Sequence, residues 1–441
     1  MEVFIKIAQF LLSLSILVIL HEMGHFIFAK VFKTRVEKFY LFFDPWFSLF
    51  KYKKGETEYG VGWLPLGGYV KISGMIDESM DKEQLKKPPQ PYEFRSKPAW
   101  QRLVIMLGGV TVNFLLALIL YVAILYIWGE SYLPTKNVTY GIVVDSIGRE
   151  MGLQNGDRII SVDNQEMEKF YSIIPDIILN ERKTIQIDRD GRRMDLEIPK
   201  SVIPAILKGK SIIDARMPFS PLIVNGFMKK SAARTAGVEI GDEILGFNAM
   251  RFEYYDEYSK QISEHKGEEV TVNVRRGEEE LDVPITISDE GLIGITHDLS
   301  QFFKFKSVKY GFLESIPAGI AKGVKTMVDY LKQFKLLFSR ETKAYESLGG
   351  FITIGSIFPG EWDWYSFWNL TAFLSIILAI MNVLPIPALD GGHVMFLLYE
   401  VVSGRKPSDK FLEYAQITGM ILLLALLLFA NGNDIIRLLK K

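Results

Sequence analysis

The sequence predicts a polytopic α-helical membrane protein with four transmembrane helices and two inserted β-rich domains. Three observations carry this. Four long apolar runs, each enough for the roughly 20 residues that a bilayer core requires, are separated by charged stretches. Hydrophobic residues make up 49% of the 441, and mean hydropathy is positive at +0.15, which points to membrane spans carrying soluble parts. Between the second and third runs the composition turns polar, and one segment occurs twice. The balance of 51 basic against 52 acidic residues argues against a nucleic-acid partner. The absence of cysteine excludes disulfides, thiolate zinc ligands and cysteine catalysis.

The first span, residues 1–32, carries His21-Glu22-Met23-Gly24-His25 near its end. In a helix, residues four apart share a face, so His21 and His25 are spaced to hold one zinc ion, with Glu22 beside them as a base. Two histidines and a glutamate also form ordinary hydrogen-bonded clusters. The apolar surroundings weigh against that, because a carboxylate at membrane depth costs at least about 2.5 kcal/mol. The run has no basic leader and no small-residue cleavage site, so it reads as a retained helix and not a signal peptide.

Residues 33–100 read as a cytoplasmic or membrane-associated β-rich loop. Gly and Pro interrupt the aromatic run Val61 to Ile72, which predicts short, bent or edge strands. The second span, 101–129, contains Gly108-Gly109 for close helix approach and Asn113, which needs a partner inside the bundle; packing accounts for both. In the polar segment, Met151-Gly152-Leu153-Gln154-Asn155-Gly156-Asp157 recurs 85 residues later as Ala236-Gly237-Val238-Glu239-Ile240-Gly241-Asp242. Each copy is followed by a helix-like stretch and a β-hairpin, turning at Asp190-Gly191 and at Arg276-Gly277, giving domains at 136–200 and 218–296.

Residues 302–345 have amphipathic helical spacing, suited to the membrane surface or to covering the soluble domains. The third span, 366–393, is broken by Pro385 and Pro387 just before Asp390, and such a break is tolerated where freed carbonyls find protein or water. Residues 411–432 form the fourth. Ten Lys and Arg flank the spans on the side of 33–100 and five on the other, so that loop is expected in the cytoplasm and the repeat outside.

A catalytic zinc takes three protein ligands, so one is still missing. Glu37 and Glu56 remain open on spacing. Asp390 is the better candidate, because the orientation brings the ends of spans one and three to the same side. His393 is its rival, and a supporting hydrogen bond to a ligand suits His393 better.

Together, the first-span motif, Pro65-Leu66-Gly67-Gly68-Tyr69-Val70-Lys71, the tandem repeat and Asn382 to Gly392 with Leu389-Asp390-Gly391 resemble the bacterial site-2 protease family, in its regulator of sigma-E protease group. The resemblance implies an intramembrane zinc endopeptidase that cuts single-span membrane proteins such as an anti-sigma factor. It also implies a multi-pass protein of the bacterial inner membrane, active site near the cytoplasmic side and tandem PDZ domains on the periplasmic side. Carried over by motif, His21, His25 and Asp390 become zinc ligands and Glu22 the base. Asn382 becomes substrate-positioning, as does the strand Gly67-Gly68-Tyr69, an edge for unwound substrate in contact with the lipid bilayer. The PDZ-like pair is expected to filter substrate or to bind peptide ligands by strand addition. The sequence departs from the family at Val110 and Phe351, where proline is common after paired glycines. The competing readings are a transporter or channel, which would need a second broken or repeated span, and a catalytically silent PDZ scaffold, disfavoured by the intact Glu22.

Overall fold

A computed structural model describes residues 1–75, 88–206, 212–337 and 349–439. The described residues form two units: Met1–Gly129 with 309–337 and 349–439, and Glu130–Val308.

Among the described residues of the first unit four helices have the length and apolarity of spans: Glu2–Val31, Ala99–Ile127, Trp364–Val383 and Asp409–Leu439. The 30-residue first helix is about 45 Å long, more than a hydrocarbon core requires. Asp363 starts the third span by accepting the Ser366 N–H at 2.8 Å. This span is shorter than expected. It stops at Val383, where Pro385 and Pro387 cannot donate to the helix. After a turn with Ala388 at φ 78°, a separate helix runs Asp390–Ser403. Asp390 is its first residue, where the helix dipole favours a carboxylate.

The expectation of short strands in 33–100 is corrected. Two long strands, Val36–Lys54 and Thr57–Ile72, run through repeated bulges. The bulges fold each strand, so Lys38–Leu41 is paired on both edges: with Gly68–Lys71, and with Glu58–Val61, where the residue numbers rise together. Gly and Pro interrupt the ladder without ending it, because bulges absorb them.

Among its described residues the amphipathic segment is helical over Phe312–Leu337; Lys306–Val308 is instead a strand against Glu130–Tyr132. Residues 338–345 lie outside the described residues. The helix belongs to the membrane unit, seated so closely on the second span that a Cβ at Gly319 would stand 2.5 Å from the Val122 nitrogen. A short helix, Phe351–Ile357, is latched to the last span. Asp434, 2% exposed, accepts N–H from Gly350 (3.0 Å) and Thr353 (2.9 Å), and Asn431 accepts from Phe351 (3.2 Å). Proline suits the first helical position because it leaves no N–H to satisfy. Phe351 stands there instead, with Asn431 taking the N–H. Val110 leaves the second span unbroken.

The second unit holds two lobes. In the first, Arg158–Val162 pairs with Thr184–Arg189 and that with Arg192–Glu197. Ile142–Val144 pairs with Ile213–Ala215, so the lobe reaches past residue 200 to 215. In the second, Glu243–Phe247, Glu269–Arg276 and Glu279–Thr286 form the corresponding ladder, beside the helix Tyr255–Ser263. Its hairpin turns at Gly277-Glu278, one residue later than expected. The repeat has a structural meaning. Asp157 and Asp242, each 1% exposed, bind a backbone N–H three residues earlier and both arms of an arginine, Arg189 and Arg276 respectively. Each arginine also donates to the turn glycine's carbonyl, Gly152 or Gly237. The Arg276 hydrogen bond holds the Asp242 carboxyl below its usual range.

Candidate metal centre

The helical spacing of the first span brings His21 and His25 onto one buried face, their ring centroids 4.9 Å apart. The second span crosses that face at near contact. A Cβ at Gly24 would stand 2.3 Å from the Gly108 carbonyl oxygen, and one at Gly109 would stand 2.5 Å from His25 Nε2. Only glycines allow this crossing, and it places second-span polar groups behind both imidazoles. The Ile105 carbonyl lies 2.9 Å from His25 Nδ1. Since a carbonyl only accepts, Nδ1 carries the proton and Nε2 keeps its lone pair.

The broken third span brings Asp390 to the same place. Asp390 Oδ2 lies 3.2 Å from each Nε2, and the two Nε2 atoms are 3.3 Å apart. These are the described residues whose donor atoms gather as a metal-ligand set. Oδ2 is buried and without a hydrogen-bond donor. Donors around tetrahedral zinc at bonds of about 2.0 Å lie about 3.3 Å apart, so the triangle fits a face of that polyhedron.

Beside it opens a cavity of about 740 Å³, lined by Val18, Glu22, Gly68, Tyr69, Asn382 and Leu389 among others. The Glu22 carboxylate accepts the backbone N–H of Val70, which aims it from the helix toward the strand. Gly68 lets that strand lie on the helix: a Cβ there would be 2.6 Å from Val18 and 2.7 Å from the Tyr40 carbonyl. Gly67, at φ 150°, continues the edge. Tyr69 turns its hydroxyl to Asp44 (2.8 Å) and stacks on Phe43 and Tyr40, so it braces the strand. Burial, and then Asp44, push that hydroxyl above its ordinary pKa and keep it a donor. The Asn382 amide nitrogen stands 3.3 Å from His21 Nε2. His393 lies in the cavity wall, outside the triangle. Glu37 and Glu56 point elsewhere, Glu37 to Ser73 and Lys71, Glu56 to Lys30.

Asn113, read from sequence as packing, lies here too. It is fully buried, with its side-chain nitrogen 3.2 Å from His21 Nδ1. The signal was present: Asn113 is four residues beyond Gly109, on the face that the glycines turn to the first span.

Known proteins resemble this chain over nearly its whole length. The sequence model of peptidase family M50 matches residues 9–426. The regulator of sigma E protease of Haemophilus influenzae is 28% identical over 456 residues, covering 98% of this chain and 99% of its own. Protease RseP of Yersinia pestis is 27% identical over 464 residues, covering 99% and 100%. A Campylobacter jejuni protein whose name places it among the zinc metalloproteases is 28% identical over 432 residues, covering 97% and 92%.

Proposed function

The chain belongs to peptidase family M50 and is a zinc metalloendopeptidase of regulated intramembrane proteolysis; from that premise we propose that it cuts single-span membrane proteins inside their transmembrane segments, with His21, His25 and Asp390 holding the metal. The transporter and silent-scaffold readings fall with the family match. The observation that carries the proposal is the 3.2–3.3 Å triangle of donors with Glu22 beside it in one cavity. Zinc supplies the Lewis acidity that activates water and polarises the scissile carbonyl. Glu22 takes the proton of the attacking water on its carboxylate and delivers it to the leaving amine. Asn382 orients the substrate carbonyl from the rim. Gly67-Gly68-Tyr69 offers its free edge to substrate that has unwound, replacing hydrogen bonds that a helix gives up.

The two lobes are PDZ-like in this reading. They stand on the periplasmic side, and the metal near the cytoplasmic side of the inner membrane. The ten-to-five excess of basic residues on the 33–100 side supports that orientation. The lobes act as a size filter: a substrate with a bulky outer domain, such as an untrimmed anti-sigma factor, is kept from the cavity. Glu22→Gln should retain zinc and trap substrate uncut, and undiminished turnover in that variant would remove Glu22 from the mechanism. Replacing residues 138–287 by a flexible linker should admit untrimmed substrate while sparing the trimmed reaction. Loss of both reactions would favour recruitment by strand addition in place of filtering.

A further inference from the structure

The two metal-site histidines are held from behind by unlike partners. Behind His25 is the Ile105 carbonyl, an acceptor only, which fixes its proton on Nδ1. Behind His21 is the Asn113 amide, whose nitrogen faces His21 Nδ1 at 3.2 Å while its oxygen is buried with no partner. An amide both donates and accepts, and its two ends are nearly the same size. With Nδ2 toward the ring, His21 Nδ1 accepts, and the ring proton sits on Nε2, facing Asp390 Oδ2 at 3.2 Å. Turned by a half rotation, Oδ1 accepts the Nδ1–H of His21, and Nε2 is freed as a lone-pair donor.

Asn113 is set firmly for this. Its own backbone carbonyl accepts the Ser375 hydroxyl at 2.7 Å, fixing the second span to the third at that level. One turn away, the Thr371 and Ser13 hydroxyls meet at 2.9 Å and link the third span to the first. All four residues are fully buried. A polar seam through three apolar helices therefore ends on the back of His21.

We infer that Asn113 is a positioning residue that selects the metal-binding tautomer of His21 by turning its amide, whereas His25 is held in that tautomer permanently. The inference rests on the reading of His21, His25 and Asp390 as the zinc ligands. Partners behind a metal-bound histidine typically contribute about 10–100-fold to metal affinity.

The test uses the full-length protein in detergent, with zinc affinity from chelator competition and the visible spectrum of the cobalt-substituted form. Asn113→Leu keeps the volume and removes both hydrogen-bonding ends. It should weaken zinc by about 10–100-fold and alter the cobalt bands, with thermal melting near that of the parent. Asn113→Asp supplies a permanent acceptor and should restore affinity to within a few-fold. A merely structural asparagine predicts the reverse order, because the buried charge would then be the worse substitution. Unchanged zinc affinity in Asn113→Leu, or an Asp variant no better than the Leu one, overturns the inference. Should Asn113→Leu fail to fold, Asn113→Ser, whose hydroxyl is too short to reach His21, replaces it under the same two criteria. Absence of zinc from the unsubstituted protein would instead sink the ligand assignment itself.

Discussion

The turns of the second unit and the helix crossing of the first each bury aspartate oxygens, and the two regions treat them differently. Asp157 and Asp242 are closed: an arginine fork and a backbone N–H occupy the oxygens, and the arginine is itself tied to the neighbouring turn. Asp390 is open: its Oδ2 meets two imidazole nitrogens at 3.2 Å, with no arginine and no backbone N–H upon it. A buried carboxylate without a partner is costly. The first arrangement meets that cost within the protein, and the second calls for a cation. Burial of an acid thus says little about its role until its partners are counted.

The comparison breaks most sharply at the open acid. Asp390→Ala should lower zinc to well below one per chain and cleavage to background, whereas His393→Ala should leave the metal bound more weakly; elemental analysis of both purified variants checks this. If His393→Ala empties the site and Asp390→Ala does not, the roles are reversed. Glu22→Gln separates the acid that holds from the acid that works: kcat should fall by about 10²–10⁴-fold with zinc still stoichiometric. At a closed acid the effect moves from chemistry to stability. Arg189→Ala leaves Asp157 Oδ1 unpartnered, with Oδ2 keeping only the Gln154 N–H, at a cost of about 1–3 kcal/mol. Hydrogen exchange in the full chain should then quicken at the 152–157 turn, with zinc content unchanged. Asp434, closed by backbone donors, should behave like an N-cap: Asp434→Ala is expected to cost about 0.5–2 kcal/mol and to speed exchange in Phe351–Ile357.

The smallest effect is in pH. Because Arg276 depresses the Asp242 carboxyl, the clamp stabilises the second unit fully above the unfolded-state pKa of about 3.9 and loses that contribution as pH falls through the lower folded value. Protection of the 237–242 turn should therefore decline below about pH 4. In Arg276→Met this decline should move toward higher pH, and an unmoved profile would show that the arginine does not set it.

Much of this was legible along the chain because it is governed by local rules. The i, i+4 spacing fixed the histidine face, span length and apolarity fixed the membrane helices, and Pro385 and Pro387 marked the break that delivers Asp390. The recurring Gly-x-x-x-Gly-Asp pattern announced the repeat, though the strand Ile213–Ala215 that completes the first lobe lay beyond the expected boundary. What the sequence left undecided are contacts between residues far apart in it. Asn113 reaches His21 across 92 positions and Asp434 reaches Gly350 across 84, and each is a polar residue of a largely apolar helix whose partner depends on rotation and depth. The folded hairpin is of the same kind, since bulge positions decide which residues of Lys38–Leu41 are paired twice. Periodicity tells a residue which way to face, but only packing tells it what it will meet. The metal pair could thus be read from five consecutive residues, whereas the third donor's distance was decided by how the broken third span folds back, and the partner that sets His21 by the glycine-lined crossing of two helices.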